Sequence, residues 1–301
     1  MNQWIKRVGI GLGCVVTLMA ATLASGVCLA DRKLHRVVAV HQGEVPLPQD
    51  ENSLSHGRYL FLSRGCSECH GSNGAGRVFA RDDQGLLLRS PNITSGAGGV
   101  TKNYTGVDWV RTIRHGVKPD GRPVFIMPSD EFARLTDSDV GDIAAYARTL
   151  PPVAGEGAQF RLPVVMRALY GLGLIHDAAE KIDHTLPPAR ETVEDATATH
   201  GRYVAQMCMG CHGPTLSGGK LPGHPPNWPA AANLTPGAGS VLPRYPDVDA
   251  FRAMLRSGKR PDGSTVDRAM PFETLGALSD MDVQAVYRFL KTLPPLPAGQ
   301  G

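Results

Sequence analysis

Two stretches of this 301-residue chain repeat each other, and the repeat limits the fold more than any other feature does. "SHGRYLFLSRGCSECHG" (Ser55 to Gly71) is answered by "THGRYVAQMCMGCHG" (Thr199 to Gly213), with two residues fewer before the second cysteine pair. The correspondence continues in order: "PNITSGAG" with "ANLTPGAG", "RHGVKPDGRPVFIMP" with "RSGKRPDGSTVDRAMP", and "LTDSDVGDIAAYARTLPP" with "LSDMDVQAVYRFLKTLPP". A period of about 143 residues is too long for a solenoid, so each copy is expected to be a domain with its own core.

Each copy reads as short helices separated by long loops. Helical patterns fall at Leu54–Arg64, Val107–His115 and Asp137–Leu150, with counterparts at Gly201–Met207, Val248–Arg256 and Asp280–Leu293. The last helix of each copy opens with a capping-box pattern, Thr136 with Asp139 and Ser279 with Asp282. Pro151–Pro152 and Pro294–Pro295 end those helices, because proline lacks the amide proton and clashes with the preceding turn. No alternating pattern is long enough to sustain a sheet, so the expected fold class is all-α. The expected organisation is an N-terminal segment (1–45), a first domain (46–153), a linker (154–198) and a second domain (199–301). Within the linker, the apolar stretch Leu162 to Ile175 is expected to pack between the domains or to cover exposed core.

At the N-terminus, Lys6 and Arg7 precede Val8 to Ala30, a run without a charged residue, and Asp31, Arg32 and Lys33 close it. The run exceeds the roughly 7–15 residues of a signal-peptide core and suffices for the about 20 needed to cross a bilayer. It is therefore taken as an uncleaved membrane anchor. Cleavage after Ala30 is the alternative, since Ala30 and Cys28 are small residues at the positions a signal peptidase reads. Cys14 and Cys28 are taken as apolar filler in that helix.

The hydrophobic and charged fractions, 42% and 20%, are those of an ordinary globular protein. A net charge of +3 is too small to point to nucleic acid as a partner. Outside the N-terminal run the only cysteines are Cys66, Cys69, Cys208 and Cys211, all inside the repeated motif, which leaves none for a disulfide framework.

That motif is CxxCH, twice. The two thiols at this spacing can each add to a vinyl group of haem, and the next residue, His70 or His212, then lies beneath the iron as its proximal ligand. Zinc is a weaker alternative because it needs four ligands and each copy offers only the motif and scattered histidines. A thioredoxin-like redox pair usually accompanies a βαβ pattern, which is missing here. The repeat also nominates the distal ligand. Met127 and Met270 stand at matching places before a proline, at almost the same separation from the motif histidine. Met207, Met209, Met254 and Met281 have no such partner, so packing explains them better. His115 is the chief rival in the first copy, but Ser257 replaces it in the second; His56 and His200 match each other and are expected to cap a helix or meet solvent. Thioether sulfur is a soft ligand that raises the reduction potential, and a six-coordinate iron has no open position for substrate, which favours electron transfer over catalysis.

These residues together resemble class I c-type cytochrome domains: "CSECHG" and "CMGCHG", "NIT" and "NLT", "DWVRTIRHGVKPDGRP", "MPS" and "MPF", and "YARTLPPV". The resemblance is greatest to the multihaem cytochrome subunits of membrane-bound alcohol and aldehyde dehydrogenases and to related membrane-anchored dihaem cytochromes. It covers about Asn52 to Pro295, including the linker stretch "FRLPVVMRALYGL". It implies two tandem cytochrome c-like domains, two covalently bound c-type haems, and a non-enzymatic relay between a dehydrogenase donor and a quinone or oxidase acceptor. It also implies a place on the bacterial cytoplasmic membrane with both haem domains on the periplasmic side. The chain departs from those subunits in having two haem motifs where they usually have three. A haem enzyme, such as a dihaem peroxidase or a thiosulfate-oxidising cytochrome with one open or unusually ligated iron, is the alternative.

Overall fold

The computed structural model describes residues 3–220 and 228–300. It opens with one long helix, α1 (Gln3–Leu34). The first copy follows as α2 (Glu51–Ser63), α3 (Cys66–His70), β1 (Val78–Arg81), β2 (Leu87–Arg89), α4 (Gly106–His115), α5 (Ser129–Phe132) and α6 (Asp137–Thr149). Between the copies lie β3 (Gln159–Arg161), α7 (Val164–Gly171) and α8 (Ala178–Lys181). The second copy comprises α9 (Ala198–Val204), α10 (Gln206–His212), α11 (Val248–Ser257), α12 (Phe272–Leu275) and α13 (Asp280–Thr292).

The protein is mainly helical, and every helix expected from the pattern is present within a few residues. In each copy the first helix crosses the last, and the glycine of "HGRY" makes the crossing close. A Cβ on Gly57 would lie 2.0 Å from the Asp142 carbonyl oxygen, and one on Gly201 would lie 2.0 Å from that of Ala285. Around the first crossing Leu60, Phe61, Val110, Val140 and Ile143 are buried; around the second, Val204, Leu216, Phe251, Val283 and Leu290 are. Each such side chain contributes roughly 1.5–3 kcal/mol by leaving water. Leu150 and Leu293, both before proline, take extended backbone and end α6 and α13 as expected.

The capping boxes form only by half. Thr136 and Ser279 accept from the backbone N–H of Asp139 and Asp282. The reciprocal bond from the cap's own N–H goes to a tyrosine of the other copy, Thr136 to Tyr203 and Ser279 to Tyr59, both at 3.2 Å. The aspartates in turn accept from those same hydroxyls. Each copy thus lends its "HGRY" tyrosine to the other's last helix, in a reciprocal joint between the domains.

Two features depart from the sequence expectations and a third decides between alternatives. A three-stranded antiparallel sheet forms, with Leu88 between Ala80 and Phe160. Strands of three or four residues are too short to show an alternation. The apolar linker stretch does not pack between the domains; it packs on α1 and, through Tyr170, covers Phe125 of the first copy, the second of its two expected places. Finally, His200 is buried against Asp282 at 2.6 Å, and His56 lies between Asp142 and Glu194, both at 2.9 Å. The helix caps expected of these histidines are provided by Asp50 and Thr197.

Candidate haem sites

The cysteine pair of each motif lies on a short helix whose last residue is the motif histidine. α3 carries Cys66, Cys69 and His70; α10 carries Cys208, Cys211 and His212. Residues three apart are neighbours on one face of a helix, so the two cysteines of each pair stand side by side. Cys66 packs against the first core and Cys208 against the second.

Both imidazoles are oriented by the backbone. His70 Nδ1 is 3.1 Å from the Pro91 carbonyl oxygen and His212 Nδ1 is 2.8 Å from that of Ala232. A carbonyl can only accept, so Nδ1 carries the proton and Nε2 keeps its lone pair for a metal. Burial lowers the pKa of both rings, which keeps them neutral and basic at Nε2. Sequence reasoning missed these carbonyls, although both stand directly before the repeated Asn-x-Thr. That tripeptide fixes the carbonyl in place. Asn92 Oδ1 accepts from the N–H and hydroxyl of Thr94 while its amide donates to the Val153 carbonyl at 2.9 Å. Asn233, Thr235 and Leu296 repeat the pattern.

The thiols are not poised for redox exchange. Burial pushes Cys66 and Cys208 up to about 12 and raises Cys69 and Cys211 as well. A reactive dithiol needs a lowered pKa. The opposite shift here argues against the thioredoxin-like alternative.

Met127 and Met270 are partly buried, the first against the core that Cys66 meets and the second against the core that Cys208 meets. The turns that carry them are alike. Pro128 and Pro271 follow with φ of −77° and −79°, and the N–H one residue further on bonds back to the methionine carbonyl at 2.8 Å in both. His115 is already engaged, with its Nδ1 3.0 Å from that of His184. Met254 is core, and Met207 and Met209 pack against the same core.

The donor set therefore fits a haem in each copy: two adjacent thiols, a neutral imidazole with a free Nε2, and a thioether on the same core. In the first copy the buried Trp109 Nε1 has no partner among the described residues, a donor that the propionates of such a cofactor can use.

Two further contacts were not legible in the sequence. The short helix after each Met-Pro turn reaches the other copy's motif: Glu131 of α5 lies against Gly210, between Cys208 and Cys211, and Thr274 of α12 lies near Gly65, before Cys66. Arg64, buried between the copies, has Asp282 at 3.8 Å and Met207 Sδ at 3.9 Å. It sits where the second copy is shorter, so the repeat gave no second instance to flag it.

Residues 54–151 match the family described as cytochrome c, and residues 194–290 match that described as cytochrome c oxidase, cbb3-type, subunit III. The chain is 27% identical to the fructose dehydrogenase cytochrome subunit of Gluconobacter japonicus, over 83% of this chain and 54% of that protein. It is 29% identical to the cytochrome c subunit of the quinone alcohol dehydrogenase of Gluconobacter oxydans, over 83% of this chain and 57% of that protein. A dihaem c-type cytochrome of Cereibacter sphaeroides is 25% identical over 80% of this chain and 86% of its own length. The chain thus spans little more than half the length of the dehydrogenase subunits it matches.

Proposed function

Since two cytochrome c domains make up most of the chain beyond its N-terminal helix, we propose that it is a dihaem electron carrier of a bacterial respiratory chain. Such domains imply two covalently bound c-type haems, one on each CxxCH motif. When bound, haem supplies one-electron chemistry at its iron. Cys66, Cys69, Cys208 and Cys211 would form the thioether links, and His70 with Met127 and His212 with Met270 would hold the two irons.

The observation that carries this reading is the equivalence of the two sites. Each has an imidazole with Nδ1 committed to a backbone carbonyl and a Met-Pro turn set on the core that meets the motif. Two like sites with the same imidazole and thioether donors would suit transfer of electrons and would leave no iron position for a substrate. The carbonyl bond makes the imidazole a better donor, and the thioether favours reduced iron.

The donor is a dehydrogenase, as the names of the fructose and alcohol dehydrogenase cytochrome subunits suggest, and the acceptor is a quinone or an oxidase. α1 is long and apolar enough to cross a membrane, with a mean hydropathy of 2.1 over its most apolar 18 residues. It anchors the chain in the cytoplasmic membrane, N-terminus inside, with both haem domains in the periplasm. The near-infrared spectrum of the oxidised protein tests the ligation: two low-spin haems with a methionine-to-iron band are expected. A high-spin or bis-histidine haem in the untreated protein overturns it.

A further inference from the structure

The linker helix α7 is fastened to α1 inside the apolar run of that helix. A Cβ on Gly171 would lie 1.9 Å from the Gly26 carbonyl oxygen, and one on Gly26 would lie 2.8 Å from that of Ala168. The two backbones therefore touch, and Ala30 is fully buried between them. Gly26 is two turns inside the end of α1 at Leu34, about 12 Å along the axis at 1.5 Å per residue.

Along α1 the next charged residue after that contact is Asp31. Asp31 pairs with Arg167. Lys33 donates to the Tyr170 carbonyl at 3.0 Å and pairs with Glu180 at 2.8 Å. Arg36 binds both oxygens of the buried Asp177 at 2.7 and 2.8 Å, and Tyr170 donates to the same carboxylate at 2.6 Å. These bonds tie α7 and α8 to the end of α1 and the residues just after it. Yet α7 and the turn after it expose Val164, Val165, Leu172 and Leu174 by 59%, 61%, 42% and 70%.

We propose that α7 is a second membrane element, lying in the bilayer surface with Val164, Val165, Leu172 and Leu174 against the lipid acyl chains. The inference rests on α1 being the membrane anchor proposed above. Continuity selects lipid as the occupant: the exposed apolar residues belong to an element that touches α1 at Gly26, inside its apolar run, and whose one charged residue, Arg167, pairs with Asp31 at the end of that run. An interfacial helix buries its apolar face about 5–10 Å into the boundary of headgroups and acyl chains, and Gly26, where Gly171 meets it, lies about 7.5 Å along the axis before Asp31, the charged residue that closes the apolar run. The arrangement also orients the haem domains. Phe125, just before Met127 in the first copy, packs edge-to-face on Tyr170 at 4.9 Å, so the first site is held beside the membrane element.

Spin labels test this in the full haem-loaded chain carrying Cys14→Ser and Cys28→Ser, in vesicles of phosphatidylcholine and phosphatidylglycerol. Labels are placed singly at Leu18→Cys, Val165→Cys, Leu174→Cys and Asp249→Cys, all exposed positions, and collisions with oxygen and with a water-soluble nickel chelate are compared. The labels at 165 and 174 are expected to lose nickel collisions as the label at 18 does, while the label at 249 keeps them. If 165 and 174 follow 249 while 18 stays in lipid, the inference is wrong and the anchor stands. Nickel access at 18 would instead remove the anchor, and the inference with it.

Discussion

The hydroxyl of Tyr59, in the first copy, donates to the carboxylate of Asp282 in the second, and it accepts from the N–H of Ser279 at the start of the same helix. Tyr203 does the same for Asp139 and Thr136 in the opposite direction. Four polar groups of the domain joint thus depend on two phenols, both with a pKa raised chiefly by burial. Tyr203→Phe leaves a buried carboxylate oxygen and a cap N–H without their partner. A loss of about 1–3 kcal/mol is expected, measured by urea unfolding of the haem-loaded protein, and Tyr59→Phe should lose a similar amount.

Met127→Ala and Met270→Ala should each open one iron and lower the potential of that haem alone, within the about 0.8 V that axial ligands command. A redox titration resolves the two haems. An unchanged titration would remove that methionine from the ligand set.

Replacing one thiol should act on one copy only. Cys66→Ala or Cys208→Ala is expected to weaken or prevent covalent attachment in its own domain and to halve the haem stain in a denaturing gel. Undiminished stain would show that the motif is not the point of attachment.

Asn92 is completely buried and makes its bonds inside the loop that positions the Pro91 carbonyl. Asn92→Ala leaves the buried Thr94 N–H without an acceptor and the Val153 carbonyl with only the Thr94 hydroxyl at 3.4 Å, with a loss of about 1–3 kcal/mol. The same change frees the His70 ring to turn, so the potential of the first haem should shift as well. Asn233→Ala should reproduce both effects at the second haem.

Glu131, against the second motif, has its pKa pushed up to about 7, first by burial and then by Asp130, with Lys181 opposing. An acid whose pKa is higher folded than unfolded binds its proton more tightly in the native state. Its contribution to stability is complete below the unfolded value of about 4.3 and is lost as pH rises through about 7. Glu131→Gln should therefore match the wild type near pH 4 and become the more stable of the two above pH 7. Parallel unfolding curves across that range would contradict the shift.

Duplication made much of this protein legible from residues alone. It gave each motif a control, so Cys66, Cys69 and His70 were read together with Cys208, Cys211 and His212, and Met127 was distinguished from other methionines by Met270. Helix limits followed from prolines and hydroxyl caps, which act through neighbouring backbone. The sequence determined those parts because their physics spans only a few residues. Tertiary structure alone decided the rest: the carbonyls of Pro91 and Ala232 behind the histidines, the exchange of Tyr59 and Tyr203 between copies, the burial of Arg64, and the seating of α7 on α1. Each joins groups far apart in the chain, and a backbone carbonyl or a close approach of glycines has no side-chain pattern to announce it. Such contacts exist only after the two copies and the N-terminal helix have packed.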